Sequence, residues 1–251
     1  MWNMDGQVVI VTGASRGIGL QLSRRFLEAG ALVATCSRGK LSDPPSASGA
    51  DPSLRERTIH RVCDQRSAEQ VEAFVSETVS RFGRIDVLIN NAGGSALRET
   101  AAAPPEFHSS IIENNLLGPL LFSIAAYRHM KEQEAGGSII NISSVASSSS
   151  GAPPGLVSYG AAKAGLNQLT RSLAREWAPS VRVNCLVLGL IDTENLRKEA
   201  MPTEEARMRL VDTIPAGRIG RPDEVAEACL YLCSPQAAYV TGARLAIDGG
   251  S

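Results

Sequence analysis

Val8-Val9-Ile10-Val11-Thr12 runs directly into Gly13-Ala14-Ser15-Arg16-Gly17-Ile18-Gly19, and the stretch from Leu20 to Ala29 then carries apolar residues at helical spacing. The apolar run reads as a buried strand. Strand, glycine-rich turn and helix in this order are the context in which glycines mark a dinucleotide site. Glycines let the backbone turn tightly and come close to a pyrophosphate, and the free amides at the helix start attract the anion. The spacing is Gly-x-x-x-Gly-x-Gly, not the commoner Gly-x-Gly-x-x-Gly.

Outward from this stretch, strand-like and helix-like segments alternate. Strands are expected at Val8–Thr12, Leu32–Ser37, Thr58–Cys63, Val87–Asn90, Ser138–Ile142, Arg182–Leu188 and Arg244–Ile247. Helices are expected at Gly17–Ala29, Ala68–Phe82, Pro105–Lys131, Tyr159–Trp177, Thr203–Asp212 and Pro222–Leu232. Such alternation implies an α/β fold, a doubly wound parallel sheet with helices on both faces and a ligand at the carboxyl ends of the strands. The paired prolines and clustered Gly and Ser between Arg38 and Arg57 cannot sustain a helix, so a flexible loop is expected there.

The 251 residues fit one domain spanning residues 1–251, and no biased linker divides them. With 43% hydrophobic residues the chain can bury a sizeable core, and no apolar run is long enough to span a membrane. A formal net charge of -1 without basic clusters argues against nucleic acid as a partner. The five cysteines are Cys36, Cys63, Cys185, Cys229 and Cys233. Their odd number and the absence of a secretory signal imply a cytoplasmic chain without disulfides, and no His or third Cys joins Cys229 and Cys233 in a metal site.

Chemistry enters with Tyr159 and Lys163 in Ser158-Tyr159-Gly160-Ala161-Ala162-Lys163. Four residues apart on a helix, phenol and ammonium share a face. A neighbouring cation favours phenolate and lowers a tyrosine pKa by roughly 1–3 units, which suits acid/base work near neutrality.

Thr12-Gly13-x-x-x-Gly17-x-Gly19, Asn90-Asn91-Ala92-Gly93 and Tyr159-x-x-x-Lys163, in this order and at about this spacing, resemble the short-chain dehydrogenase/reductase family, with its Rossmann-like fold, from about Asp5 to Gly250. The resemblance implies that Gly13, Ser15, Gly17, Ile18, Gly19, Asn91, Ala92 and Gly93 bind a nicotinamide dinucleotide. It makes Ser144 the substrate-orienting serine, with Ser143 beside it. It also makes Asn115 the asparagine that helps hold a water in the proton path, with Asn114 its neighbour. Lys163 would hold the nicotinamide ribose. Asp64 matches the position that contacts the adenine, and it could also cap the helix before Ala68. Gly189, Ile191 and Thr193 match the segment beneath the nicotinamide, where Leu188 replaces the family's usual proline.

The second strand ends Thr35-Cys36-Ser37-Arg38 without the acid that favours NAD. A guanidinium suits the extra phosphate of NADP, so Arg38, Arg16 and the Ser37 hydroxyl point to NADP(H). The expected activity is interconversion of a ketone and a secondary alcohol, resembling the 3-oxoacyl-thioester reductases of the family. Alternatives are reduction of an enoyl thioester and a non-catalytic NADP-binding sensor. The partner implied is a small carbonyl or alcohol substrate, with no nucleic acid or membrane. By resemblance the chain forms a homo-oligomer, a tetramer or dimer, through the helices at Pro105–Lys131 and Tyr159–Trp177; Ala161, Ala162 and Ala164 would permit close approach there or could face the chain's own sheet. Residues 190–218, with Leu196, Met201, Met208, Leu210 and Ile214 among charges, read as a substrate lid carrying a short amphipathic helix.

Overall fold

The structure is a computed structural model that describes residues 2–39, 56–148 and 151–251. Seven strands form one parallel sheet in the order β3-β2-β1-β4-β5-β6-β7. They are β1 Val8–Thr12, β2 Leu32–Ser37, β3 Thr58–Val62, β4 Val87–Asn90, β5 Gly137–Ser144, β6 Val181–Leu188 and β7 Arg244–Ile247. The helices are α1 Gly17–Glu28, α2 Ala68–Phe82, α3 Pro105–Ile112, α4 Gly118–Met130, α5 Val157–Trp177, α6 Glu194–Ala200, α7 Glu204–Val211 and α8 Pro222–Cys233.

The continuous apolar runs follow from burial on both sheet faces. Successive strand residues point to opposite faces. Val9 and Val11 accordingly pack with Leu22 and Phe26 of α1 and Val225 and Leu230 of α8. Ile10, between them, packs with Phe74 of α2, Phe122 of α4 and Trp177 of α5. On that second face the Phe74 and Phe122 rings meet edge to face at 6.1 Å, and Tyr127 stacks on Trp177 at 4.2 Å. All five cysteines are buried and free.

The strand order reverses at β1, which pairs β2 on one side and β4 on the other. At such a switch point the connections leave in opposite directions and open a crevice at the carboxyl ends of the strands. The turn after β1, the loop after β4 and the end of β5 all meet there.

Most expected elements occur within a residue or two of their expected ends. The long helix Pro105–Lys131 is interrupted: α3 and α4 are joined by a π-helical turn, Glu113–Leu117. Pro119 explains the change, since proline has no N–H to give the carbonyl four residues back and its ring clashes with it in a regular α-helix. Helix α6 was not expected. Its signal is local: Thr193 accepts a hydrogen bond from the Leu196 amide, Glu194 opens the first turn, and Arg197 and Lys198 close the last. On α5, Ala162 is buried while Ala161 and Ala164 are exposed. The loop expected between Arg38 and Arg57 falls largely on residues 40–55, outside the described residues, as do residues 149–150 of the serine-rich segment.

Candidate active site

The turn after β1 is built so that nothing but glycine fits at two points. Gly13 has φ +68°, and a Cβ there would lie 2.7 Å from the Ala92 Cα. A Cβ on Gly19 would lie 2.4 Å from the Gly13 carbonyl oxygen and 2.5 Å from the Asn91 side chain. The turn is thus pressed against the loop after β4. Asn91 completes the join by donating its side-chain amide to the Thr12 and Gly13 carbonyls at 2.9 and 3.2 Å. The Thr12 hydroxyl accepts from the backbone amides of Asn91 and Ala92 at 3.0 and 2.9 Å.

This turn forms one wall of a cleft of about 860 Å³. Ser15, Arg16, Gly17 and Ile18 line it from the start of α1, and Ser37 and Arg38 from the end of β2. Asn91, Ala92 and Gly93 line it from β4, and Ser144, Tyr159 and Lys163 from β5 and α5. Gly189, Ile191 and Thr193 line it beyond β6. Arg16 and Arg38 are exposed and make no ion pair among the described residues. The Ser37 hydroxyl is turned inward, donating to the Gly39 carbonyl at 2.7 Å. A cleft with a glycine-rich turn, the amino terminus of α1 and two exposed guanidinium groups fits a phosphate-bearing dinucleotide.

Asp64 and Asn115 do not line the cleft. The Asp64 carboxylate is held by the Arg66 guanidinium at 2.6 Å and accepts the Arg66 amide at 3.0 Å. Hydrogen bonding from the Arg66 side chain holds the Asp64 pKa below its ordinary value. Its backbone amide donates to Gln70 at 2.9 Å. The expected cap is also corrected: Ser67, not Asp64, caps α2 by accepting from the Gln70 amide, because Ser67 is the residue directly before the first helical turn.

Asn115 is wholly buried in the π-helical turn. Its oxygen accepts from the Gly94 amide at 2.9 Å, and its side-chain nitrogen donates to the Gly94 and Ile111 carbonyls, each at 2.9 Å. It clamps the loop after β4. Its neighbour Asn114, by contrast, does line the cleft. A Cβ on Gly93 would sit 2.6 Å from the Asn115 oxygen and 3.2 Å from Lys163 Nζ, so the absence of a side chain lets these two groups close on the loop.

Ser144 and Ser143 separate by orientation. The Ser143 hydroxyl is buried and points at the Lys163 carbonyl, 3.4 Å away. Ser144 ends β5, and its hydroxyl reaches the Tyr159 phenol and pulls the phenol pKa down. Burial outweighs that pull and holds Tyr159 above its ordinary value. Lys163 Nζ sits 5.6 Å from the Tyr159 ring centre and donates to the Ile142 carbonyl at 2.7 Å. Burial lowers its pKa from 10.5 to about 8. The expected depression of the tyrosine by the lysine is therefore corrected: desolvation dominates both groups, and the phenol stays protonated at neutral pH.

Beyond β6, the Gly189 amide donates to the Ile247 carbonyl at 3.0 Å, so pairing with the segment at β7 holds the backbone where a proline was expected. Of residues 190–218, the part that reaches the cleft is Leu190–Ile191 and Thr193–Leu196 with Glu199. Met208 is exposed and none of residues 200–218 lines the cleft, so the apolar contacts expected of Met201 and Met208 fall instead to Leu190 and Leu196. Gln65, Leu156 and Cys63 also line the cleft. Cys63 and Gln65 flank the marked Asp64 at the end of β3, and it is these two neighbours that line the cleft in its place, whereas nothing in the sequence around Leu156 marks it. Among the described residues, no group of His, Cys, Asp and Glu could hold a metal ion, and no helix is long and apolar enough to cross a membrane.

A family model described as enoyl-(acyl carrier protein) reductase matches residues 13–251. The chain is 35% identical over 249 residues to the 3-oxoacyl-(acyl-carrier-protein) reductase FabG of Vibrio cholerae, covering 99% of this chain and 98% of that one. It is 37% identical over 261 residues to a 3alpha-hydroxysteroid dehydrogenase of Mediterraneibacter gnavus, covering 99% and 98%. Among solved structures, a short-chain dehydrogenase/reductase of Brucella melitensis superposes with a TM-score of 0.90 at 29% identity, covering 99% of this chain and 98% of that one.

Proposed function

Since the chain belongs to the short-chain dehydrogenase/reductase family of oxidoreductases, which use NAD(P)(H), we propose that it is an NADP(H)-dependent enzyme interconverting a ketone and a secondary alcohol. The observation that carries the reading is the convergence of Ser144, Tyr159 and Lys163 on the same cleft that the glycine turn lines. A bound nicotinamide supplies or takes up the hydride. Ser144 donates a hydrogen bond to the substrate oxygen and orients it. Tyr159, protonated at neutral pH, delivers the proton to that oxygen in the reductive direction. The Lys163 ammonium stabilises the phenolate left behind and offers its remaining donors to ribose hydroxyls. Asn115 keeps the loop at Gly93-Gly94 in place beside Lys163. Arg16 and Arg38 favour the 2′-phosphate of NADP by charge and by paired hydrogen bonds. Leu190, Leu156 and Leu196 give the substrate mouth an apolar lining, and residues 190–199, the part of the expected lid that reaches the cleft, cover it.

A panel of ketones assayed with NADPH and with NADH tests this reading. Reduction of at least one ketone, faster with NADPH, is the expected result. The description of the matching family model favours a second reading, reduction of an enoyl thioester. Turnover of an enoyl thioester with no ketone turned over would replace the first reading by the second. Exposed small residues Ala161 and Ala164 on α5 support a homo-oligomer built on that helix, which sedimentation can measure.

A further inference from the structure

The π-helical turn that holds Asn115 has a defect written into its sequence. In such a turn each carbonyl bonds to the amide five residues on. The Gly118 amide is taken by the Glu113 carbonyl in this way. The next carbonyl, that of Asn114, would need the amide of residue 119, which is Pro119 and has none. Asn114 is half-buried, and a carbonyl drawn partly out of water without a donor is unfavourable.

Gln65 supplies the donor from another part of the chain. Its side-chain nitrogen lies 2.7 Å from the Asn114 carbonyl oxygen and 2.9 Å from Asn114 Oδ1. The same nitrogen lies 3.1 Å from the Ala92 carbonyl oxygen. Backbone carbonyls only accept, so the amide is fixed with its nitrogen towards them. The side chain is only 4% exposed. The sequence next to the defect is fitted to it, since a Cβ on Gly118 would come within 2.7 Å of Gln65 Cγ. One side chain after β3 therefore ties the loop after β4, at Ala92, to the turn that carries Asn115.

We infer that Gln65 is a positioning residue: it replaces the donor that Pro119 lacks and so holds the Asn115 turn and the Ala92–Gly94 loop in the geometry the site requires. It acts through Asn115 and that loop. The part of this inference that concerns turnover rests on the ketone reductase reading, whereas the part that concerns the turn does not.

The test is a cycle of Gln65→Leu, Pro119→Ala and the double variant. Hydrogen exchange over residues 92–95 and 113–118, read without substrate, should speed up at least tenfold in Gln65→Leu. Pro119→Ala restores an amide at the defect, so the double variant should recover much of the protection at 113–118. With an accepted substrate, Gln65→Leu should lower kcat by about 10- to 100-fold, as misplacement of site groups does, with a smaller change in KM, and the double variant should regain part of kcat. Should Gln65→Leu fail to fold, Gln65→Asn, which keeps the amide on an arm one methylene shorter, enters the same cycle. Unchanged exchange at 113–118, or no recovery on adding Pro119→Ala, would overturn the inference. A wild-type chain that reduces no ketone would instead refute the proposed activity and leave the exchange result to decide the role of Gln65.

Discussion

Replacing Lys163 by methionine should stabilise the protein while abolishing its chemistry. Lys163 is 3% exposed, and burial lowers its pKa from 10.5 to about 8. At pH 7 the group is charged in both folded and unfolded chains, and that gap corresponds to about 3 kcal/mol of stability withheld by the buried charge. Methionine has similar length and no charge, but it abandons the 2.7 Å bond to the Ile142 carbonyl, which takes back about 1–2 kcal/mol. Lys163→Met should therefore be more stable than wild type by about 1–2 kcal/mol at pH 7. The pH dependence follows from the sign of the shift. Between about pH 8 and 10.5 the unfolded chain binds more protons than the folded one, so the wild type gains stability as pH rises through that window. The variant has no such gain, and its advantage should shrink by about 1 kcal/mol between pH 7 and 9. Cys185, the thiol that interacts with Lys163, is pushed by burial to about 11 and stays protonated over this range. Denaturant titrations of both chains without cofactor at pH 7, 8 and 9 measure the difference. A variant less stable than wild type at pH 7, or an advantage that does not shrink, would refute the burial argument.

Tyr159→Phe keeps the ring and removes the proton carrier; turnover should fall by at least roughly 10²-fold, with NADPH affinity retained in a fluorescence titration, and near-normal turnover would end the acid/base assignment. Arg38→Asp should move the NADPH-to-NADH efficiency ratio towards NADH through lost attraction and added repulsion; an unchanged ratio would show that Arg38 does not read the 2′-phosphate. Gly19→Ala puts a methyl group 2.4 Å from the Gly13 carbonyl oxygen, so it should lower stability by about 1–3 kcal/mol as overpacking does and weaken cofactor binding, measured by thermal unfolding with and without NADPH. Hydrogen exchange across residues 194–215 should slow when NADPH and a substrate are added; equal exchange in both states would make that segment scaffold, not lid.

The order of amino acids alone settles what depends on near neighbours. The run Val8–Thr12 followed by Gly13, Gly17 and Gly19 is sufficient for strand, turn and helix, because period, glycine freedom and helix-start amides are local properties. The alternation of such units implies a parallel sheet, and the spacing of Tyr159 and Lys163 puts them on one helix face. Even α6 has a local signal, in Thr193 and Glu194. Tertiary structure decided whatever depends on what lies across the cleft. Strand alternation alone sends the adjacent Ser143 and Ser144 to opposite faces, but only the packing of α5 on β5 decides that one meets the Lys163 carbonyl and the other the phenol. Asp64 has the right residue type for a ligand contact, yet Arg66 occupies its carboxylate. The pKa of Tyr159 could not be foreseen from its lysine neighbour, because desolvation is set by everything packed around a group and not by its spacing. Gln65 stands next to the marked Asp64, but its role was not legible: it arises from a missing amide at Pro119, which the chain passes fifty-four residues after Gln65, and a hydrogen bond between positions so far apart exists only once the sheet has brought their loops together.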